Sequence, residues 1–268
     1  MAMSAGAPCT ALWDLFGPAS AGASHGRVVH TSDRSVAILV GPGRLVVLDA
    51  RPGPDSLPCS VLTPSLPLGT GRWASRVGEP VELSCAGLRG EGWRVPLVRW
   101  WSPARVQTGA GAPVRSPGTV RPAPLAHPLG GVLAWAVRAV SAGDVDAAVA
   151  DVDTVLGSGP GSTPAADDAV AGLLLALRAR TAPADAAALD EAATRIAERA
   201  RDRTTALSAE LLRHAATGVA TQTVVAAVLR PTAASRARVL ALGGTSGAAL
   251  LAGIDLADAE LDRQGAAA

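Results

Sequence analysis

Apolar positions in the first hundred residues come in short runs. Arg27–Thr31, Ser35–Val40 and Arg44–Ala50 are rich in valine and leucine, with Asp33-Arg34 and Gly41-Pro42-Gly43 as turns between them. Pro80–Cys85 and Trp93–Trp101 continue the pattern. Runs this closely spaced predict antiparallel pairing, in a small barrel or sandwich over residues 1–106. Residues 107–128 break it with prolines at 113, 117, 122, 124 and 128, and read as a Pro/Gly-rich linker.

From Leu129 the period becomes helical. Leu129, Val132, Leu133, Ala136, Val137 and Val140 recur at three- and four-residue steps, and so do Val145, Ala148, Val149, Val152 and Leu156. A further helix is predicted from Pro164 to about Arg180. A long one follows over Asp185–Thr217, stopped by Gly218. More helices cover Thr221–Asp262, broken at Pro231 and Gly243-Gly244. The fold class predicted is α+β: a β-rich domain, a linker, and an α-helical bundle over residues 129–268. No internal repeat has a solenoid period.

Composition narrows the chemistry. The chain contains no lysine, asparagine or tyrosine, which excludes a Schiff-base lysine, pyridoxal chemistry and a Walker A phosphate loop. A net charge of +1 without a basic cluster gives no surface for nucleic acid. No apolar stretch reaches the roughly 20 residues of a membrane span, and the start lacks a signal-peptide pattern, so a cytoplasmic protein is expected. Cys9, Cys59 and Cys85 are scattered and form no CxxC pair, so they read as small buried hydrophobes. The four histidines have no metal-ligand spacing; His214, four residues after Glu210, reads as part of an exposed pair. Of the adjacent Trp100 and Trp101, one is expected in the core and the other near the surface or a domain interface.

The sharpest feature is the segment Leu156-Gly-Ser-Gly-Pro-Gly-Ser-Thr-Pro-Ala-Ala-Asp-Asp168. Gly157, Gly159 and Gly161 allow positive φ and close approach of a ligand. Thr163 is read as the N-cap and Pro164 as the first residue of the helix, whose free amides suit a phosphate or carboxylate. The loop follows a helix, so it is no Rossmann fingerprint; the structural alternative is a tight, well-capped helix–helix corner. Asp167 and Asp168, about 100° apart around that helix, would repel a phosphate. A divalent cation such as Mg2+ reconciles them with one, as does a carboxylate that accepts hydrogen bonds from an amide or ammonium group. Dipole complementarity plus a capping bond is the plainer account of the pair.

A second cluster, Gly243-Gly-Thr-Ser-Gly247, opens another helix; its serine stands one place too late for a nucleophile elbow. Between the clusters, Thr204 and Ser208 share a helix face, where their hydroxyls either line a polar pocket or bond back to carbonyls of the preceding turn.

Taken together, Gly157–Asp168, the following Ala171-Gly172-Leu-Leu, Thr205-Ala-Leu-Ser208, Leu211-Leu212, Gly218 and Gly243–Gly247 resemble, in order, the AllH family. Its signature reads GLGPGLTPSGDD, followed by an apolar helix with AGLL. The resemblance covers roughly the last 120 residues. The departures are Ser162 in place of leucine, Ala165 and Ala166 in place of serine and glycine, and Gly244 in place of a frequent histidine. The STRTR-type motif of ordinary transcarbamoylases is absent.

The resemblance implies a subunit of a multi-subunit oxamate carbamoyltransferase of allantoin breakdown. That enzyme interconverts oxalurate plus phosphate with oxamate plus carbamoyl phosphate. Asp167 and Asp168 are the expected catalytic pair. Gly157, Gly159, Gly161, Thr163, Thr205, Ser208, Thr245, Ser246 and Gly247 are the expected substrate-binding residues. No cofactor beyond Mg2+ is indicated, and its requirement is open. The expected partners are the other subunits and a small anionic substrate. A non-catalytic partner-binding subunit and a stand-alone binder of a small carboxylate or phosphate are the alternatives. The enzymatic reading requires the two glycine loops to lie within a ligand's width of each other.

Overall fold

The computed structural model describes residues 2–3, 5–17, 22–41, 43–69, 72–111 and 125–267. Two compact units divide the chain, Met1–Pro103 and Ala104–Ala268. Most of the expected linker, residues 112–124, lies outside the described residues.

The first unit is a curled sheet with the ladder order β1 (Ala2–Met3), β9 (Trp93–Pro96), β8 (Gly87–Gly90), β7 (Pro80–Ser84), β3 (Ser24–Thr31), β4 (Ser35–Val40), β5 (Arg44–Asp49), β6 (Ser60–Leu62) and β2 (Ala7–Pro8). The two edges of that order belong to one N-terminal segment. β1 runs parallel to β9, Gly6 bridges Leu97, and β2 pairs antiparallel with β6, so the segment ties both edges of the sheet together. Pairing elsewhere is antiparallel except between β5 and β6. In β4 the alternation is regular: Val36, Ile38 and Val40 face the core. Trp73 and Trp93 are buried and meet edge to face, with ring centroids 5.0 Å apart.

Three local expectations change here. β9 ends at Pro96, well short of Trp101. Trp100 and Trp101 are both half-buried: Trp100 lies against Trp13 at 4.8 Å, and Trp101 Nε1 donates to the Ser60 carbonyl at 3.3 Å. Cys9 and Cys59 are buried as expected, whereas Cys85 is exposed.

The second unit is helical: α2 (Leu129–Ser141), α3 (Val145–Asp153), α4 (Ala165–Arg180), α5 (Ala186–Arg203), α6 (Ala206–Ala216), α7 (Gln222–Leu229), α8 (Ala233–Leu240) and α9 (Ser246–Ala267), after a short α1 (Trp13–Phe16) in the first unit. A two-residue ladder joins β10 (Ala104–Arg105) to β11 (Val219–Ala220). α4 is buried nearly all round, as its Ala/Leu/Val sequence without a polar face dictates. It packs against α9 through two glycines. A Cβ on Gly172 would stand 2.1 Å from the Leu250 carbonyl oxygen, and one on Gly253 would stand 2.0 Å from that of Ala169. The two helices run in the same sense. At their far ends Arg180 meets Asp262 at 2.7 Å and Asp258 at 3.5 Å.

The helix expected over Asp185–Thr217 is two helices. α5 stops at Arg203, Thr204 is fully extended (φ −139°, ψ −173°), and Thr205 caps α6, its hydroxyl accepting from Ser208 N at 3.1 Å. Adjacent threonines bond the backbone locally and end a helix as readily as they continue one. His214 and Glu210, expected to be exposed, are both about 1% exposed, with His214 Nε2 3.3 Å from Glu210 Oε1. Among the described residues no helix is long and apolar enough to cross a membrane.

Candidate functional site

The site is built on the segment between α3 and α4. Its backbone turns through positive φ at Gly157 (77°), Gly159 (121°) and Gly161 (97°). At the first two, space forbids a side chain as well. A Cβ on Gly157 would lie 2.2 Å from the Arg203 carbonyl oxygen, and one on Gly159 would lie 2.9 Å from Ala165 N. The loop is therefore pressed against the end of α5 on one side and the start of α4 on the other.

The helix opens differently from the sequence expectation. Pro164 occupies the N-cap with extended ψ (140°) and no side-chain cap, and α4 begins at Ala165. The Pro164 carbonyl instead accepts from the amides of Asp167 and Asp168, at 3.0 and 3.2 Å. Thr163, relieved of the capping role, pairs its hydroxyl with that of Ser246 at 2.9 Å. Ser246 is the first residue of α9, so this contact joins the two glycine-rich loops, which lie more than eighty residues apart in sequence.

A third helix start meets them. Thr205, the N-cap of α6, donates its hydroxyl to the Ser162 carbonyl. Three helix N-termini, those of α4, α6 and α9, thus converge on residues 162–168. Each carries amides without intrahelical acceptors and a partial positive charge. Part of this set is used within the protein: Ala166 N bonds the Ser158 carbonyl, Gly247 N that of Leu242, and Ser208 N the Thr205 hydroxyl.

The adjacent aspartates are not equivalent. Asp167 is about 1% exposed, and both of its oxygens are occupied. Oδ1 accepts from the Gly157 amide at 2.8 Å; Oδ2 accepts from Ser208 Oγ at 2.7 Å and from the Thr204 hydroxyl. Thr204 and Ser208 thus point forward to a carboxylate rather than back to carbonyls of their own helix. Asp168 is 6% exposed, and its Oδ2 is buried with no hydrogen-bond partner among the described residues. Burial pushes its carboxyl up to about 6. Hydrogen bonds from Ser246 and Thr163 pull the other way, and the neighbouring charge of Asp167 adds to the rise.

The remaining expected residues fall around this centre. Ser208 is buried within it, Gly161 lies at the exposed rim, and Gly247 is packed where a Cβ would stand 1.9 Å from the Val239 carbonyl oxygen. Thr245 is exposed, contributing a carbonyl that accepts from Ala249 N at 3.1 Å. Thr204 was absent from the expected site residues. Its four-residue spacing to Ser208 was the available signal, obscured by reading one helix through both.

For a divalent cation the donor set is thin. Both Asp167 oxygens already accept hydrogen bonds, which leaves one unengaged carboxylate oxygen, on Asp168, and among the described residues no group of three or more His, Cys, Asp or Glu stands together. Bridging of the two aspartates by Mg2+ therefore has little to hold it beyond Asp168.

No curated protein and no solved structure matches the chain. One family model does, and it spans the glycine-rich loop, both aspartates, α6 and most of α9: residues 155–257 match the AllH family, oxamate carbamoyltransferase subunit AllH.

Proposed function

We propose that this chain is a subunit of an oxamate carbamoyltransferase-like assembly that interconverts oxalurate plus phosphate with oxamate plus carbamoyl phosphate, and that the anionic substrate sits where α4, α6 and α9 begin. The observation that carries this reading is the joining of the two glycine-rich loops by the Thr163–Ser246 hydroxyl pair at 2.9 Å, inside the segment that matches the family. Carbamoyl transfer builds negative charge on the carbamoyl and phosphate oxygens. Preorganised amides stabilise such charge without a cationic side chain.

A partner-binding subunit is the second reading, and one surface feature favours it. Trp135 on α2 is 63% exposed, with the Arg138 guanidinium 4.4 Å above its ring. Tryptophan and arginine are both enriched among the residues that anchor protein interfaces. The readings separate in one experiment. Tagged chain is recovered from its native host with whatever co-purifies, supplied with oxamate and carbamoyl phosphate, and followed for oxalurate, with Asp168→Ala protein alongside. Oxalurate from the wild type and none from the variant supports the transferase reading. Equal turnover by both leaves this chain a non-catalytic partner, and turnover by neither overturns the proposed activity.

A further inference from the structure

We infer a division of labour between the two adjacent aspartates: Asp168 is the residue that meets the substrate nitrogen and exchanges a proton with it, and Asp167 positions the loop. The inference rests on the carbamoyltransferase reading. Its basis is hydrogen-bond capacity. An ionised carboxylate is acceptor-only, with room for about four bonds. Asp167 spends its capacity inside the protein, on the Gly157 amide, Thr204 and Ser208. It thereby fixes the glycine loop to α4 and α6, with both of its oxygens engaged within the protein. Asp168 is the opposite case: nine-tenths buried at the same three-helix junction, with an oxygen that no described group satisfies. Such an orphan acceptor is rare in a folded chain and calls for an external donor. The groups that face Asp168 are hydroxyls, Thr163 from the loop and Ser246 from α9, and the charged neighbour is Asp167 on its own helix.

The N–H of a primary amide is the donor that oxamate offers, while its carboxylate suits the helix N-termini. In the synthetic direction the oxamate nitrogen attacks the carbamoyl carbon of carbamoyl phosphate. The C–N bond forms, the bond from carbon to phosphate oxygen breaks and phosphate leaves. The nitrogen's proton passes to the Asp168 carboxylate. In the reverse direction phosphate attacks oxalurate, the C–N bond breaks, and protonated Asp168 returns the proton to the departing nitrogen. A group that ionises near neutral pH serves both directions.

Two measurements test the assignment separately from the activity. Oxamate binding to the full chain is followed by calorimetry near pH 6 in buffers of different ionisation enthalpy. Wild type is expected to release a proton on binding oxamate and none on binding oxalate, which lacks the N–H; Asp168→Asn releases none with either. In the co-purified assembly, Asp168→Asn is expected to lose about 100-fold or more in kcat with KM changed only a few-fold, together with the acid limb of the pH profile. Asp168→Glu is expected to recover part of the activity, and Asp167→Asn to lower the melting temperature. An active assembly in which Asp168→Asn keeps kcat within a few-fold overturns the inference and leaves the proposed function standing. Proton release through Asp168 in an assembly that makes no oxalurate keeps Asp168 as the nitrogen-binding group and sinks the transferase reading. Oxamate binding without proton release, or no oxamate binding, overturns the inference in either case.

Discussion

Asp168 is held at a cost. Its carboxyl titrates near 6 in the folded chain against 3.8 when free, a difference worth about 3 kcal/mol. Because the folded value is the higher one, the folded state holds the proton more tightly. That contribution to stability is fully present below about pH 4 and is lost as pH rises to about 6. Asp168→Asn, which cannot ionise, should therefore raise unfolding stability by roughly 1–3 kcal/mol near pH 8 and change little below about pH 4; denaturant titrations at the two pH values check this. Asp167 predicts the reverse. Asp167→Ala strands the Gly157 amide and two hydroxyls in a buried place, and should cost roughly 3 kcal/mol in the same titration near pH 8. A pair written Asp-Asp in the sequence is thus one structural and one strained carboxylate. That difference was not legible in the sequence, because it is made by Thr204, Ser208, Thr163 and Ser246, all brought in from elsewhere in the chain.

The elements are where the sequence was most readable. The change from short valine-rich runs to a 3.6-residue period near Leu129 marks the change from strands to helices, and α2, α3 and α4 lie close to where periodicity puts them. What it could not show follows from forces that leave no periodic trace. The N-terminal strand that ties the sheet edges is two short pieces. The break between α5 and α6 is set by one extended threonine. The Thr205 cap should be worth about 1 kcal/mol, so Thr205→Ala is expected to lower stability by that much and Thr205→Ser to restore most of it, measured by thermal unfolding. The parallel seam of α4 and α9, which brings Ser246 to Asp168, depends on Gly172 and Gly253. Gly172→Ala drives a methyl into the Leu250 carbonyl and should cost roughly 1–3 kcal/mol, with loss of ligand binding before loss of helical content.

At the scale of the whole molecule, the structure separates a curled β unit from a helical unit, and the match to the AllH family lies wholly within the second. Two of the glycines that suggested the family have a plain packing reason, since Gly157 is pressed against the end of α5 and Gly159 against the start of α4. The proposed reaction is that of an assembly and is read in one. The most direct measurement compares co-purified assemblies carrying wild-type chain and Gly159→Val chain for oxalurate formation from oxamate and carbamoyl phosphate, with subunit composition checked by gel filtration. The account predicts oxalurate from the wild type, and its loss in the variant with the assembly intact, because a branched side chain at Gly159 meets the first amide of α4 and displaces the loop. Undiminished oxalurate formation by the variant, or none by the wild-type assembly, would contradict it.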